Sequence, residues 1–275
     1  MLWTKGVWYL VRPLIGLGVG FVAAFMGVGG GFILTPMLIL LFGLETHQAV
    51  GTSSSIVFFT GLSSFVAYAR QRRVDWKIGL VLELASVPGA FLGAVAMEAV
   101  SAGVIQLLFS AFLAYVSYRM WMGLRKEWRA GMFRAMTWSR RLTDSDGNVM
   151  DYGVNMPIAL AVSFAAGVAA GFFGIGGGVL KVPVLTYCGM PIHVAVATSS
   201  FMIMITAVSS SSTHFMLGNV VLRYTLPIAA GVVVGTQLGA YTAKRTEAVK
   251  LRRLFALALG VVSLMMGLKA FGILG

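Results

Sequence analysis

The chain has 275 residues, of which 58% are hydrophobic and only 11% charged, with a mean hydropathy of +0.88. A water-soluble domain carries about a quarter charged residues, so this composition excludes an ordinary water-facing surface. The formal charge of +12 points to anionic lipid rather than nucleic acid, because membrane proteins gather Lys and Arg in cytoplasmic loops.

In chain order, the first element is a Gly-interrupted apolar stretch at 11–42. It lacks a clear small-residue cleavage site and reads as a retained membrane element rather than a signal peptide. Three uninterrupted apolar spans follow, at 47–69, 76–96 and 104–122, each long enough to cross about 30 Å of hydrocarbon. A polar, basic linker occupies 124–153. In it Trp128, Met132, Phe133 and Met136 stand at roughly helical spacing, as in an amphipathic surface helix or a loop. A second Gly-interrupted stretch at 157–189 is followed by spans at 193–216, 222–242 and 254–272. The single cysteine, Cys188, excludes an internal disulfide.

The second half repeats the first. GVGGGFILTP begins at Gly27 and GIGGGVLKVP at Gly174, 147 positions later. HQAVGTSS begins at His47 and HVAVATSS at His193, an offset of 146 that Gly89/Gly235 and Gly93/Gly239 keep. Such ordered self-similarity marks a duplicated unit. It divides the chain into a repeat at 1–123, the linker at 124–153 and a repeat at 154–275.

Charge placement sets the two copies against each other. The first repeat carries Arg70, Arg72, Arg73 and Lys77 after its second segment but no Lys or Arg from Met97 to Gly103. In the second repeat the corresponding loop near Gly218 has only Arg223, and the next holds Lys244, Arg245, Lys250, Arg252 and Arg253. Placing 70–77, the stretch from Arg119 through the linker and 244–253 in the cytoplasm puts 16 of the 21 basic residues inside. That requires an odd number of segments per repeat. Each Gly-interrupted stretch then enters and returns, as two short spans or a re-entrant hairpin with arms of roughly 11 to 17 residues, at 1.5 Å per residue. The expected fold is an all-α polytopic transmembrane bundle of two inverted repeats, about 5+5 segments. The alternative, a same-way 4+4 arrangement, leaves five basic residues outside.

Inverted repeats with broken helices place transporter substrate sites at the midplane. Gly29, Gly30, Gly31 and Gly176, Gly177, Gly178 free backbone N–H groups at two helix N-termini, whose positive dipole ends suit an anion; tight helix crossing is the plainer reading. Pro36 and Pro183 suit a first helical turn. Thr52, Ser53, Ser54, Thr198, Ser199 and Ser200 offer hydroxyls to an anion, or bond back to helix backbone. Lys181 departs from the symmetry, standing where the first copy has Leu34; it supplies charge to the site, snorkels, or pairs with Glu83. Glu83, His47 and His193 are candidates for proton coupling, and His214 with Ser209 to Ser212 forms a further polar patch. No HExxH occurs, and GTSSS lacks the closing glycine of a nucleophile elbow, so no enzyme, metal or cofactor is expected.

The motifs GVGGGFILTP with HQAVGTSS, and GIGGGVLKVP with HVAVATSS, resemble the sulfite exporter TauE/SafE family, also called the TSUP family. The resemblance covers nearly the whole chain outside the linker. It implies a multi-pass protein of the cell (inner) membrane that moves sulfite- or organosulfonate-like anions, with export as the usual direction. Alternating access is the leading reading, and a passive anion channel or an uptake permease are the alternatives. The basic linker has no place in the family pattern, and a homo-oligomer is left open.

Overall fold

The computed structural model describes residues 2–122, 138–243 and 248–272. The first repeat gives α1 (Leu2–Met26), α2 (Gly31–Leu40), α3 (Thr46–Arg70), α4 (Trp76–Glu98) and α5 (Ala102–Met122). The second gives α6 (Met156–Phe173), α7 (Gly178–Tyr187), α8 (Ile192–Met216), α9 (Leu222–Ala243) and α10 (Ala248–Ala270). Between them lies a hairpin of β1 (Trp138–Thr143) and β2 (Val149–Val154). The fold is an all-α polytopic bundle: α3, α4, α6, α8 and α9 are each long and apolar enough to cross a membrane, and shorter apolar helical stretches lie at Val11–Met26, Gly31–Leu40, Ala102–Tyr118 and Leu259–Ala270. Large apolar side chains such as Leu84, Leu226 and Leu264 stand exposed on the outer faces, which suits hydrocarbon rather than water.

The Gly-interrupted stretches are helical hairpins. The N–H of Asn155, which caps the start of α6, donates to the carbonyl of Cys188 just beyond α7 at 3.3 Å, so the chain leaves and returns at one end. In the first repeat Arg12 and Phe42 both lie against the Tyr224 ring, at 4.5 and 5.3 Å. The arms differ from the expected 11 to 17 residues: α1 has 25, while α2 and α7 have 10 each. Pro36 and Pro183 each fall sixth in their helix, beyond the first turn. The helices begin at the glycines themselves, because Gly30 at φ +77° and Gly177 at φ +72° turn the chain directly into them.

Helix pairing repeats when the halves are exchanged. Gly16 and Gly20 of α1 face Ile228 and Val232 of α9, while Gly231, Gly235 and Gly239 of α9 face Pro13, Leu17 and Phe21. Likewise Gly89 and Gly93 of α4 interlock with Gly167 and Gly171 of α6. A Cβ on Gly235 would lie 2.0 Å from the Leu17 carbonyl oxygen, and one on Gly171 2.0 Å from that of Ala90. Small residues are what allow backbones to meet so closely. Gly235→Leu and Gly171→Leu are therefore expected to lower the melting temperature in detergent by several degrees, read by a thermal-shift assay.

Helices α3 and α8 form the centre of the bundle and run antiparallel. Asn219, just past α8, packs on Gly51 near the start of α3. Thr198 near the start of α8 accepts the N–H of Asp75, just past α3, at 2.9 Å. On the outside, α5 and α10 cross at Ser110 and Ser263, each hydroxyl donating to the other's carbonyl at 2.7 and 2.8 Å.

The hairpin is the part of the linker that sequence patterning left out. Its turn is built by Asp144, whose Oδ1 accepts the N–H groups of Asp146 and Asn148, with Gly147 at φ +84°. The Asp-Gly pair within an alternating run was the available signal. The segment with Trp128, Met132, Phe133 and Met136 lies outside the described residues.

The hairpin docks on the loop that joins α3 to α4. Arg140 grips the carboxylate of Asp75 in a two-point pair at 2.9 and 3.1 Å, and the Tyr152 hydroxyl donates to it at 2.6 Å. Arg73 reaches Asp144 at 3.0 Å. Gln71 of the same loop donates to Ala240, near the end of α9, at 3.5 Å. Loop, hairpin and the end of α9 thus share one side. Burial raises the Asp75 carboxyl pKa, but the hydrogen bonds from Arg140, Tyr152 and the Ile78 N–H outweigh it and hold the group below its ordinary value. For Asp144 burial is likewise outweighed by Asn148, Arg73 and the Asp146 N–H, which hold it at about 2. Carboxylates depressed in the folded state stabilise it above the unfolded value of about 3.9 and lose that contribution as pH falls through the folded one. Docking should therefore persist at neutral pH and loosen between about pH 4 and pH 2. Arg140→Ala, which removes two bonds to a buried carboxylate, should cost about 1.5–3 kcal/mol. Protease cleavage within 144–148 would report both effects.

Candidate functional site

The two glycine breaks meet. Gly31 opens α2 and Gly178 opens α7. A Cβ on Gly31 would fall 2.2 Å from the Gly174 carbonyl oxygen, and one on Gly178 2.8 Å from that of Gly27. Each helix start therefore rests on the backbone of the opposite break. Gly29, Gly30, Gly176 and Gly177 all have φ between +72° and +84°, a region that costs an L-residue about 1–2 kcal/mol. Gly30 leaves α2 without a side-chain cap, so the helix dipole is not covered by a local acceptor.

Two branched side chains occupy the space between the runs. Val57 of α3 and Ile203 of α8, 146 positions apart, are both fully buried. A Cβ on Gly176 would meet Val57 at 2.4 Å, and one on Gly178 would meet Ile203 at 2.4 Å. In this conformation the breaks are closed on one another.

The hydroxyl trios brace this junction with matched bonds. Ser53 donates to the Gly174 carbonyl at 2.9 Å, and Ser199 to that of Gly27 at 3.0 Å. Thr52 accepts the Val221 N–H at 3.0 Å, as Thr198 accepts that of Asp75 at 2.9 Å. A serine has one proton to give, so those of Ser53 and Ser199 are committed to the glycine turns here. Thr52 and Thr198 accept in these bonds and retain their own. Ser54 pairs with Ser210 at 2.9 Å, whereas Ser200 bonds back to Val196 at 3.0 Å. Within the polar patch, Ser209 donates to the Val87 carbonyl, Ser211 pairs with Ser55, and His214 meets the Gly171 carbonyl at 2.8 Å.

The charged candidates separate into two groups. His47 and His193 are each second in their helices, α3 and α8, with His47 partly covered and His193 exposed. Lys181 and Glu83 come together. Lys181 stands in the first turn of α7, its N–H bonded to the Gly177 carbonyl. Its ammonium donates to Glu83 Oε1 at 2.7 Å and to Thr206 Oγ1 at 2.5 Å, and Thr206 donates to Glu83 Oε2 at 2.7 Å. Ser86 closes on Thr206 at 3.1 Å. Both charged residues are almost fully buried. At the equivalent positions of the opposite repeat, Lys181 and Thr206 are answered by Leu34 and Thr60 in the first, and Glu83 by Ala229 in the second, so the charge cluster exists on one side of the symmetry only. Thr206 and Ser86 are the members that sequence reasoning missed; the sign of Thr206 was a hydroxyl between one and two turns beyond the repeated trio.

A chain of this architecture is matched along nearly its whole length by a known profile: the sulfite exporter TauE/SafE family covers residues 13–266. The chain belongs to this family. Among relatives of this TauE/SafE protein, a "Probable membrane transporter protein YunE" of Bacillus subtilis is 32% identical over 240 residues, covering 84% of this chain and 87% of the relative. A probable membrane transporter protein of Xylella fastidiosa is 28% identical over 254 residues, with 90% of each chain covered. "Sulfite exporter TauE/SafE family protein 6" of Arabidopsis thaliana is 35% identical over 77 residues, 28% of this chain and 18% of its own. No solved structure gives a significant match. TauE/SafE membership makes the chain a membrane transporter rather than an enzyme, and among the described residues no cluster of metal ligands occurs.

Proposed function

We propose that the protein is a secondary transporter of small sulfur-containing oxyanions, such as sulfite or organosulfonates, working by alternating access with export as its usual direction. The observation that carries this reading is the meeting of two glycine-broken hairpins in mid-bundle, with the ammonium of Lys181 held one turn from one of the breaks. Helix N-termini without side-chain caps attract anions, and a lysine in the same turn adds a full charge. Gly29 to Gly31, Gly176 to Gly178, Lys181 and the hydroxyls of Thr52 and Thr198 are the groups that would surround the anion, with Ser53, Ser54, Ser199 and Ser200 bracing or joining them.

In this reading the repeats at 1–123 and 154–275 are inverted copies. The antiparallel course of α3 and α8 and the exchange-symmetric glycine seams support that relation. The linker at 124–153 lies on the cytoplasmic face of the cell (inner) membrane, a placement favoured by its basic residues and its docking on 70–77. Alternating access then consists of parting Val57 and Ile203 from the glycines on one side at a time.

Purified protein in liposomes should exchange labelled sulfite, methanesulfonate or isethionate across the membrane with saturation. Absence of counterflow for all three would refute the reading.

A further inference from the structure

The Glu83–Lys181 pair carries an inference that deepens the transporter reading and rests on it. The pair is a closed account of charge: one ammonium, one carboxylate, and two hydroxyls, those of Thr206 and Ser86, between α4, α7 and α8. Among the described residues, no other charged side chain faces it. Helix α6, packed along α4, contains no Asp, Glu, Lys, Arg or His. Besides Lys181, α7 has no charged residue. The histidines of α8 are elsewhere: His193 is exposed at the start, and His214 is engaged with Gly171 near the end. On α4 itself Lys77 lies in the first turn and Glu98 at the far end, where the Asn219 amide donates to it.

Two of the three ammonium protons of Lys181 are used, by Glu83 and Thr206, among the described residues. An incoming monoanion that takes the third, or displaces Glu83, adds one negative charge to a site that was neutral. In a low-dielectric interior an uncompensated charge is too costly to keep, and the carboxylate is the group able to cancel it.

We infer that this protein binds its anion together with one proton, which Glu83 takes as the anion engages Lys181. The balance is simple: the monoanion and a proton enter together, the Glu83 carboxylate becomes a carboxyl, Lys181 stays an ammonium, and the net charge of the site is unchanged. Release on the other side returns both and restores the ion pair. The transport step is therefore electroneutral and indifferent to membrane voltage. The ratio of anion concentrations multiplied by the ratio of proton concentrations fixes its direction. In a cell that is alkaline inside, such coupling favours entry, and export proceeds when the anion gradient outweighs the proton gradient. One cluster serving two repeats sets the stoichiometry at one anion per cycle.

The test uses proteoliposomes with an entrapped pH-sensitive dye and voltage clamped by potassium and valinomycin. The probe is methanesulfonate, a strong-acid anion that cannot carry a proton itself. Entry into wild-type vesicles should acidify the lumen by one proton per anion, at the same rate at zero and at about 100 mV. The apparent KM should fall about tenfold per unit drop in external pH, the linkage slope of one proton. Glu83→Gln should move the anion without lumen acidification and make its flux voltage-dependent. Wild-type flux without proton movement, a KM independent of pH, or proton movement preserved in Glu83→Gln would each overturn the coupling while leaving transport intact. The wild-type measurements stand whether or not the variant inserts. Failure of methanesulfonate, sulfite and isethionate all to cross would instead remove the transporter reading, and the coupling with it.

Discussion

Gly30→Leu and Gly177→Leu are expected to abolish transport while leaving membrane insertion largely intact. Each forces an L-residue into positive φ, at about 1–2 kcal/mol. Each also drives a Cβ into packed neighbours: Val19 and Ala23 for Gly30, and the Ala166 carbonyl at 2.9 Å for Gly177. Overpacking of that kind costs about 1–3 kcal/mol. Insertion depends on the hydropathy of the long spans and is untouched by one added leucine. The helix starts, however, would shift from the opposite break, and a barrier raised by half the combined cost already slows transport about five- to seventyfold. Gly31→Ala should behave as badly despite its smaller side chain, because Gly174 leaves its Cβ 2.2 Å of room. Counterflow measured beside surface labelling in cells separates loss of transport from loss of insertion. Normal counterflow in both leucine variants would show that the junction takes no part in the cycle.

Lys181→Ala carries the second large effect. It strands the Glu83 carboxylate in the bilayer, and breaking a buried pair by removing one partner costs about 3–5 kcal/mol. The variant should unfold at lower temperature in detergent, and its apparent affinity for methanesulfonate should fall at least tenfold. The combination Lys181→Met with Glu83→Met, which removes both charges and keeps the volume, should recover most of the lost stability but none of the affinity. A double variant as tight-binding as wild type would make the pair a purely structural element. Stability that stays low in the double variant would indicate instead that the surrounding hydroxyls need an ionic partner.

The sequence was most legible where geometry repeats. Gly27 and Gly174, His47 and His193, Gly93 and Gly239 announced paired elements, and those elements appear as α1 to α4 and α6 to α9. The length and apolarity of the spans foretold the bundle, since a bilayer leaves a chain few other ways to satisfy its backbone. Less legible was the division of labour among hydroxyls. Ser53 and Ser199 look identical to anion donors in one dimension, yet their protons go to glycine carbonyls more than a hundred residues away. The meeting of Glu83 with Lys181 was one of several readings of Lys181, because pairing across 98 positions depends on how α4, α7 and α8 cross. The proline positions misled slightly: a proline five residues past a glycine run reads as a helix start, but positive-φ glycines start these helices earlier.

The reciprocal serine bonds of Ser110 and Ser263, with the glycine seams that answer each other, make the contact surface of one half the complement of the other. A chain nicked between residues 123 and 137 would therefore present two fragments with matching faces, and co-expression should let them reassemble into a working whole.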